Sequence, residues 1–173
     1  MSTTEEQTLR ERRERIVVEH MESENEHRFD ATMRTFDHPR YELIATGEVH
    51  DGEAAVAAYF EETRTAFPDQ RNELISLHHS DDAVIVEANL YGTHDGPYRG
   101  LPPTGRPFEM RFCALFLFEE DRLVCERVYF DANTIMRQLG IARDPTSLGG
   151  RVLTVLNHPL TVGRAVARQV SGR

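Results

Sequence analysis

Up to residue 67 the apolar positions of the chain recur three and four residues apart, and after residue 70 they alternate. In residues 4–24, Leu9, Ile16, Val17, His20 and Met21 fall on one side of a charged helix. A second helical stretch carries Phe29, Met33 and Phe36 and ends at "DHPRY", where Pro39 biases His38 away from the helical region. "YELIATGEVHDG" reads as a strand and a turn, with Asp51 as the N-cap of the next helix. That helix is amphipathic, because Val56, Tyr59, Phe60, Thr63 and Phe67 lie at helical spacing before "FPDQ" stops it.

The period then becomes two. "NELISLHHS" and "AVIVEANLYGTH" are strands joined by a turn at Ser80–Asp82. "DGPYRGLPPTGRP" is dense in Gly and Pro and forms a loop. "FEMRFCALFLF" and "RLVCERVYFD" are two further strands joined at "EED", and "NTIMRQLG" is a short helix closed by Gly140. Helices interleaved with one strand, then four consecutive strands, predict an α+β fold: a curved antiparallel sheet with the helices over one face.

The strand "ERVYFD", residues 126–131, places Arg127, Tyr129 and Asp131 on one side and Val128 and Phe130 on the other. A two-residue turn at Glu120–Asp121 sets Glu119 opposite Arg122. Regular pairing from there puts Asp131 opposite Met110, Tyr129 opposite Phe112 and Arg127 opposite Ala114. The polar triplet then shares a face with Phe112, Phe116 and Phe118, and that face is an interior. A one-residue slip reverses the assignment. A carboxyl group in such a place has its pKa raised by desolvation and lowered by a neighbouring arginine, which can poise it for proton exchange. The other reading of the same spacing is a buried Asp131–Arg127 ion pair that only shapes the core.

Charge and cysteine content narrow the classes. Twenty-nine acids against 20 basic residues give a net charge of -9, which disfavours general nucleic-acid binding. Cys113 and Cys125 lie within apolar runs and read as free thiols. The charged N-terminus lacks the apolar centre of a signal peptide, and no apolar run is long enough to span a bilayer, so a cytoplasmic protein without membrane attachment is expected. His78 and His79 are adjacent on a strand and face opposite ways, and no His/Cys motif supports a metal site. Tyr41 and Tyr59 are candidates for lining a pocket, with core packing as the alternative. His94, close to a strand end, has a structural reading as well as a chemical one. After Asp144 the composition changes: no acid, four arginines and apolar positions at helical spacing, split by Pro159 into two short helices. This segment is expected to bury Val155, Leu156 and Val166 on its own domain or on a partner subunit.

Several segments together resemble the SnoaL-like polyketide cyclase family of the nuclear transport factor 2-like superfamily. They are Gly-Thr-His-x-Gly at 92–96, Pro-Thr-Gly-Arg at 103–106, "ERVYFD" at 126–131 and Gln-Leu-Gly at 138–140, with "HPRYEL", "DGEAAVAAYF" and "FPD" upstream. The resemblance spans roughly residues 10–142 and implies a cone-shaped curved sheet wrapped by helices. A domain is expected at 1–142, followed by a helical extension at 143–173 that is not part of the family's usual pattern. The resemblance also implies cofactor-independent aldol-type cyclisation or isomerisation of a carbonyl-rich substrate. In that reading Asp131 is the acid/base group and His94 its partner, with Arg127, Tyr129, Phe112, Phe116, Tyr41 and Tyr59 around a small apolar carbonyl-containing ligand and no metal. Arg127 stands where such cyclases often carry tryptophan, and this chain has no tryptophan. Two rival readings stay open: an epoxide hydrolase or isomerase on the same scaffold, and a non-catalytic ligand-binding or dimerisation module. A homodimer through the outer face of the sheet is expected.

Overall fold

The computed structural model describes residues 3–172, with the side chain of Thr3 excepted. Helix α1 (Thr3–Asn25) and the short α2 (Phe29–Arg34) lead into β1 (Arg40–Leu43) and β2 (Glu48–Asp51). Helix α3 (Glu53–Ala66) is followed by β3 (Arg71–His79), β4 (Ala83–Thr93), β5 (Pro107–Glu119) and β6 (Arg122–Phe130). Helices α4 (Ala132–Gln138), α5 (Leu148–Asn157) and α6 (Pro159–Ser171) complete the chain. The six strands form one open sheet in the order β2-β1-β6-β5-β4-β3. All neighbours are antiparallel except β1 and β6, which run parallel.

The expected α+β architecture is present, and its local details refine the sequence reading. "YELIATGEVHDG" is a two-strand hairpin: Gly47, at φ 74°, takes the left-handed turn position that glycine adopts without a Cβ clash. The N-cap position of α3 is Gly52 rather than Asp51, whose carboxylate instead meets Arg40 and His38. Gly140 stands one residue past the last turn of α4 at φ 77°, and the amide of Ile141 reaches back to the Met136 carbonyl, a Schellman ending. The tail breaks at Pro159, which begins α6.

Helices α1 and α3 cover the inner face of the sheet. Val17 and Met21 from α1 and Val56 and Phe60 from α3 are buried against Val84, Val86, Ala88, Phe112, Ala114 and Phe116. The inner residues of β4 and β5 alternate with half-buried or exposed ones, as a sheet with one covered face requires.

One irregularity decides which side chains reach the interior. Glu119 pairs with Arg122 and Phe118 with Leu123, but Leu117 pairs with Cys125. Val124 is the extra residue of a β-bulge, and beyond it the register is one residue away from the regular pairing. Phe116 therefore faces Glu126, Ala114 faces Val128 and Phe112 faces Phe130. The inner residues of β6 are Glu126, Val128 and Phe130, while Arg127 and Tyr129 lie on the opposite face. Cys125 shares that outer face with Leu117, and burial pushes its thiol up to about 11, which keeps it protonated. Both cysteines are free.

Candidate active site

A cavity of about 120 Å³ lies between the inner face of the sheet and helices α1 and α3. Its walls are mainly apolar and aromatic: Tyr41, Tyr59, Phe67, Tyr98, Phe108, Phe112, Val128 and Phe130 all line it. Two polar groups stand at different depths. Glu24, Tyr41 and Glu126 are deep, and Glu48 with Arg99 is nearer to solvent, each side chain of that pair being 35% exposed. Arg99 lies over the Tyr98 ring, 5.1 Å from its centre, and meets Glu48 at 2.5 Å. Burial works against the Glu48 charge, but the hydrogen bonds from Arg99 and Thr46 and the Arg99 charge together outweigh it and hold that carboxyl below the usual carboxylate range.

The deep group is built by three separate elements. His20 and Glu24 are one turn apart on the inner side of α1. Tyr41 and Glu126 are directly paired across the parallel β1–β6 ladder, so both side chains point to the same face. The His20 imidazole is fully buried, with Phe36 and Phe116 edge-on to it at 5.2 and 5.3 Å. Its Nδ1 lies 2.7 Å from Thr35 Oγ1, whose own proton is donated to the Thr32 carbonyl. Thr35 can therefore only accept, so Nδ1 carries a hydrogen and Nε2 faces the cluster. Around Nε2 stand Tyr41 Oη at 2.7 Å, Glu126 Oε2 at 3.1 Å and Glu24 Oε1 at 3.8 Å. The Tyr41 hydroxyl donates to Glu24 Oε1 at 3.1 Å, and Asn72 Nδ2 donates to Glu24 Oε2 at 2.8 Å.

Two carboxylates and one imidazole in so dry a place compete for protons. Burial lifts the pKa of Glu126, more than the neighbouring His20, 3.1 Å away, lowers it. Burial alone would push His20 down, but the hydrogen bond and charge of Glu126, with the charge of Glu24, outweigh it and carry the ring above its ordinary value. Tyr41 is raised well above the usual phenol range by burial and by both carboxylates, so it stays a donor. His20 and Glu126 are near enough that the charge of each shifts the titration of the other. Glu126 Oε2 has no hydrogen bond of good geometry. The donor atoms of His20, Glu24 and Glu126 lie within 4.8 Å of one another, so they could also hold a cation. Short metal-ligand motifs do not span positions this far apart in the chain.

Of the residues expected at the site, Tyr41, Tyr59 and Phe112 line the cavity. Phe116 sits behind the cluster against His20. The shared interior face expected for Arg127, Tyr129 and Asp131 is not formed, because the Val124 bulge turns these residues outward. Arg127 pairs with Glu42 at 2.6 Å on the outer face, and Tyr129 is 43% exposed. Asp131 is the N-cap of α4: its carboxylate accepts from the Asn133 amide at 3.0 Å and the Thr134 hydroxyl at 2.6 Å. These bonds hold its pKa below the ordinary value. His94 is fully buried but belongs to the 94–106 loop: Nδ1 accepts from the Thr104 amide at 3.3 Å, and the ring packs against Phe67. No hydrogen bond links His94 to Asp131 among the described residues. Gly96 beside it is forced by packing, since a Cβ there would lie 1.9 Å from the Thr65 carbonyl oxygen. Sequence reasoning missed Glu24 and Glu126. The available signal was the one-turn spacing of His20 and Glu24 on a face already assigned as internal.

Comparisons place this arrangement among known folds. IdmH from Streptomyces antibioticus, a candidate polyketide cyclase, superposes with a TM-score of 0.62 at 25% identity over 74% of this chain and 98% of its own. AclR from Streptomyces galilaeus, a candidate hydroxylase, gives 0.66 at 19% identity, covering 76% of this chain and 87% of its own. A protein of ketosteroid isomerase-like fold from Catenulispora acidiphila, in complex with trimethylamine, gives 0.62 at 17% identity over 73% and 93% of the two chains. A search of the curated proteins gave no significant match. No described helix is long and apolar enough to cross a membrane. The model of the SnoaL-like polyketide cyclases matches residues 14–139, a span that includes every strand, α3, the second half of α1 and all four residues of the deep cluster; the chain belongs to that family.

Proposed function

We propose that the protein is a small-molecule enzyme of cyclase or isomerase type, and that Glu126, rather than Asp131, is its acid/base group. The observation carrying this reading is a dry carboxylate that reaches an aromatic-walled cavity and is backed by the His20 ring, held in place by Thr35, 3.1 Å away. In a substrate with an acidic C–H flanked by carbonyls, the Glu126 carboxylate takes that proton and leaves an enolate. The enolate carbon forms a C–C bond to a second carbonyl of the same molecule, and the resulting alkoxide recovers the proton from Glu126. The net change is an isomerisation, with every proton returned. His20 does not line the cavity and acts as a positioning residue. Its charge compensates the carboxylate before proton transfer, and Thr35 fixes its ring. Tyr59 and Phe112 supply apolar walls for the ligand.

Volume limits what the deep part can hold. An engineered cavity of about 150 Å³ accommodates one benzene. The deep cavity is of that order, so one ring or its equivalent sits beside Glu126. A longer substrate extends past the Arg99–Glu48 pair.

A second reading uses the same donors differently: His20, Glu24 and Glu126 hold a divalent cation that polarises a substrate carbonyl. Deuterium exchange separates the two. With ethyl benzoylacetate in D₂O, followed by NMR, the wild-type protein should accelerate exchange at the carbon between the carbonyls, and should do so unchanged in excess EDTA. Loss of exchange in EDTA would transfer the assignment to the metal reading. Exchange at the wild-type rate in Glu126→Gln would remove the acid/base role.

A further inference from the structure

The last two helices carry an apolar side that the domain does not cover. Leu148, Leu156, Leu160 and Val170 are 83%, 70%, 75% and 71% exposed. In the fold α5 and α6 pack chiefly on one another. A contiguous apolar surface of this kind marks an interaction site in a soluble protein. The charge pattern says what covers it. The whole chain has a net charge of -9, and residues 145–173 contain four arginines and no acid, which leaves -13 for residues 1–144. A cationic apolar hairpin is thus tethered to a strongly acidic body.

The outward side of α1 has the complementary character. Glu11, Glu14, Glu19 and Glu22 are exposed around the half-buried Val18 and form a shallow acidic groove with Arg15. Glu14 is shared with His79, at 3.4 Å. An anionic lipid surface would also attract Arg151, Arg164 and Arg168, but it would repel the -13 body that follows them to the surface. A second copy repels that body too, but a two-fold pair sets two cationic arms against one body–body repulsion. We infer that the α5–α6 hairpin is a dimerisation arm that docks on a second copy of the chain, its arginines facing the acidic side of the partner's α1. A two-fold pair exchanging arms makes the contact twice and leaves the cavities untouched.

Sedimentation velocity on the full chain tests this. A dimer is expected at low salt, weakening as salt rises. Arg164→Glu with Arg168→Glu should raise the dimer Kd by roughly tenfold or more, and Leu156→Asp with Leu160→Asp should do the same, with the domain's circular dichroism retained. Glu11→Arg with Glu19→Arg should weaken self-association alone and restore it when mixed with the arm charge-reversal variant. A monomer at every concentration would overturn the inference. So would a dimer indifferent to both arm variants, or binding to phosphatidylserine vesicles in place of self-association.

Discussion

Glu126 and Asp131 stand five residues apart on one strand and its exit, and they are opposite kinds of acid. Glu126 is buried beside His20, and loss of water raises its pKa. Asp131 is exposed, tied to two donors at the start of α4, and its pKa is lowered. Proximity in sequence says nothing about which one can exchange a proton near neutrality. What separates them is which side of the sheet each occupies and how many fixed donors each carboxylate has. A saturated N-cap is a poor base, because each donor would have to be given up when it takes a proton. A desolvated carboxyl with one imidazole neighbour gains from protonation.

The most drastic way to break this contrast is to insert one alanine between Cys125 and Glu126. With the Val124 bulge kept, the extra residue would reverse the alternation beyond it and turn Arg127 and Tyr129 inward and Val128 and Phe130 outward. Burying an unpaired guanidinium costs several kcal/mol, against a total stability of about 5–15 kcal/mol. The insertion variant should fail to show a cooperative melting transition by circular dichroism.

Glu126→Gln sharpens the contrast instead. It keeps the shape and removes the proton exchange, so the rate of carbon-acid exchange should fall about 10²–10⁴-fold. Linkage adds two signs that can be checked. The folded pKa of Glu126 lies above its ordinary 4.5, so its protonated form stabilises the fold at low pH, and this contribution is lost as pH rises through the folded value. His20, held above 6.5, likewise stabilises below its unfolded pKa and loses that contribution as pH rises through its folded pKa. Glu126→Gln should abolish the first slope in a series of melting temperatures. It should also move the NMR titration of His20 downward, because the largest upward influence on that ring is gone. An unmoved His20 would separate the two groups and end the paired description.

A smaller effect is expected at Tyr41→Phe. The hydroxyl serves both His20 and Glu24, and deleting it leaves buried polar atoms unpaired at about 1–3 kcal/mol. Denaturant unfolding measures this directly. The smallest effects belong to the outer residues. Arg127→Met removes a half-exposed ion pair, so stability should change by no more than about 1 kcal/mol. Asp131→Asn, which keeps a capping oxygen, should leave the exchange rate at its wild-type value, and Asp131→Ala should lower only the melting temperature. A large rate loss in Asp131→Asn, with the fold intact, would return the acid/base role to the end of the strand.

The sequence by itself determined the elements. Period-3.6 spacing of Val56, Phe60, Thr63 and Phe67, and alternation in β4 and β5, are local consequences of which side faces water. A contiguous segment carries that information. It also determined the class of fold, the split of the tail at Pro159 and the aromatic walls at Tyr41, Tyr59 and Phe112. Tertiary structure alone decided the register beyond Val124. A bulge is one uncompensated residue in a run of apolar and polar positions that fits either pairing, and only packing against Phe112, Ala114 and Phe116 selects between them. It alone assembled His20, Glu24, Tyr41 and Glu126, which span more than a hundred residues of chain. Their chemistry comes from shared exclusion of water, a property that no segment has until the sheet and α1 close over it.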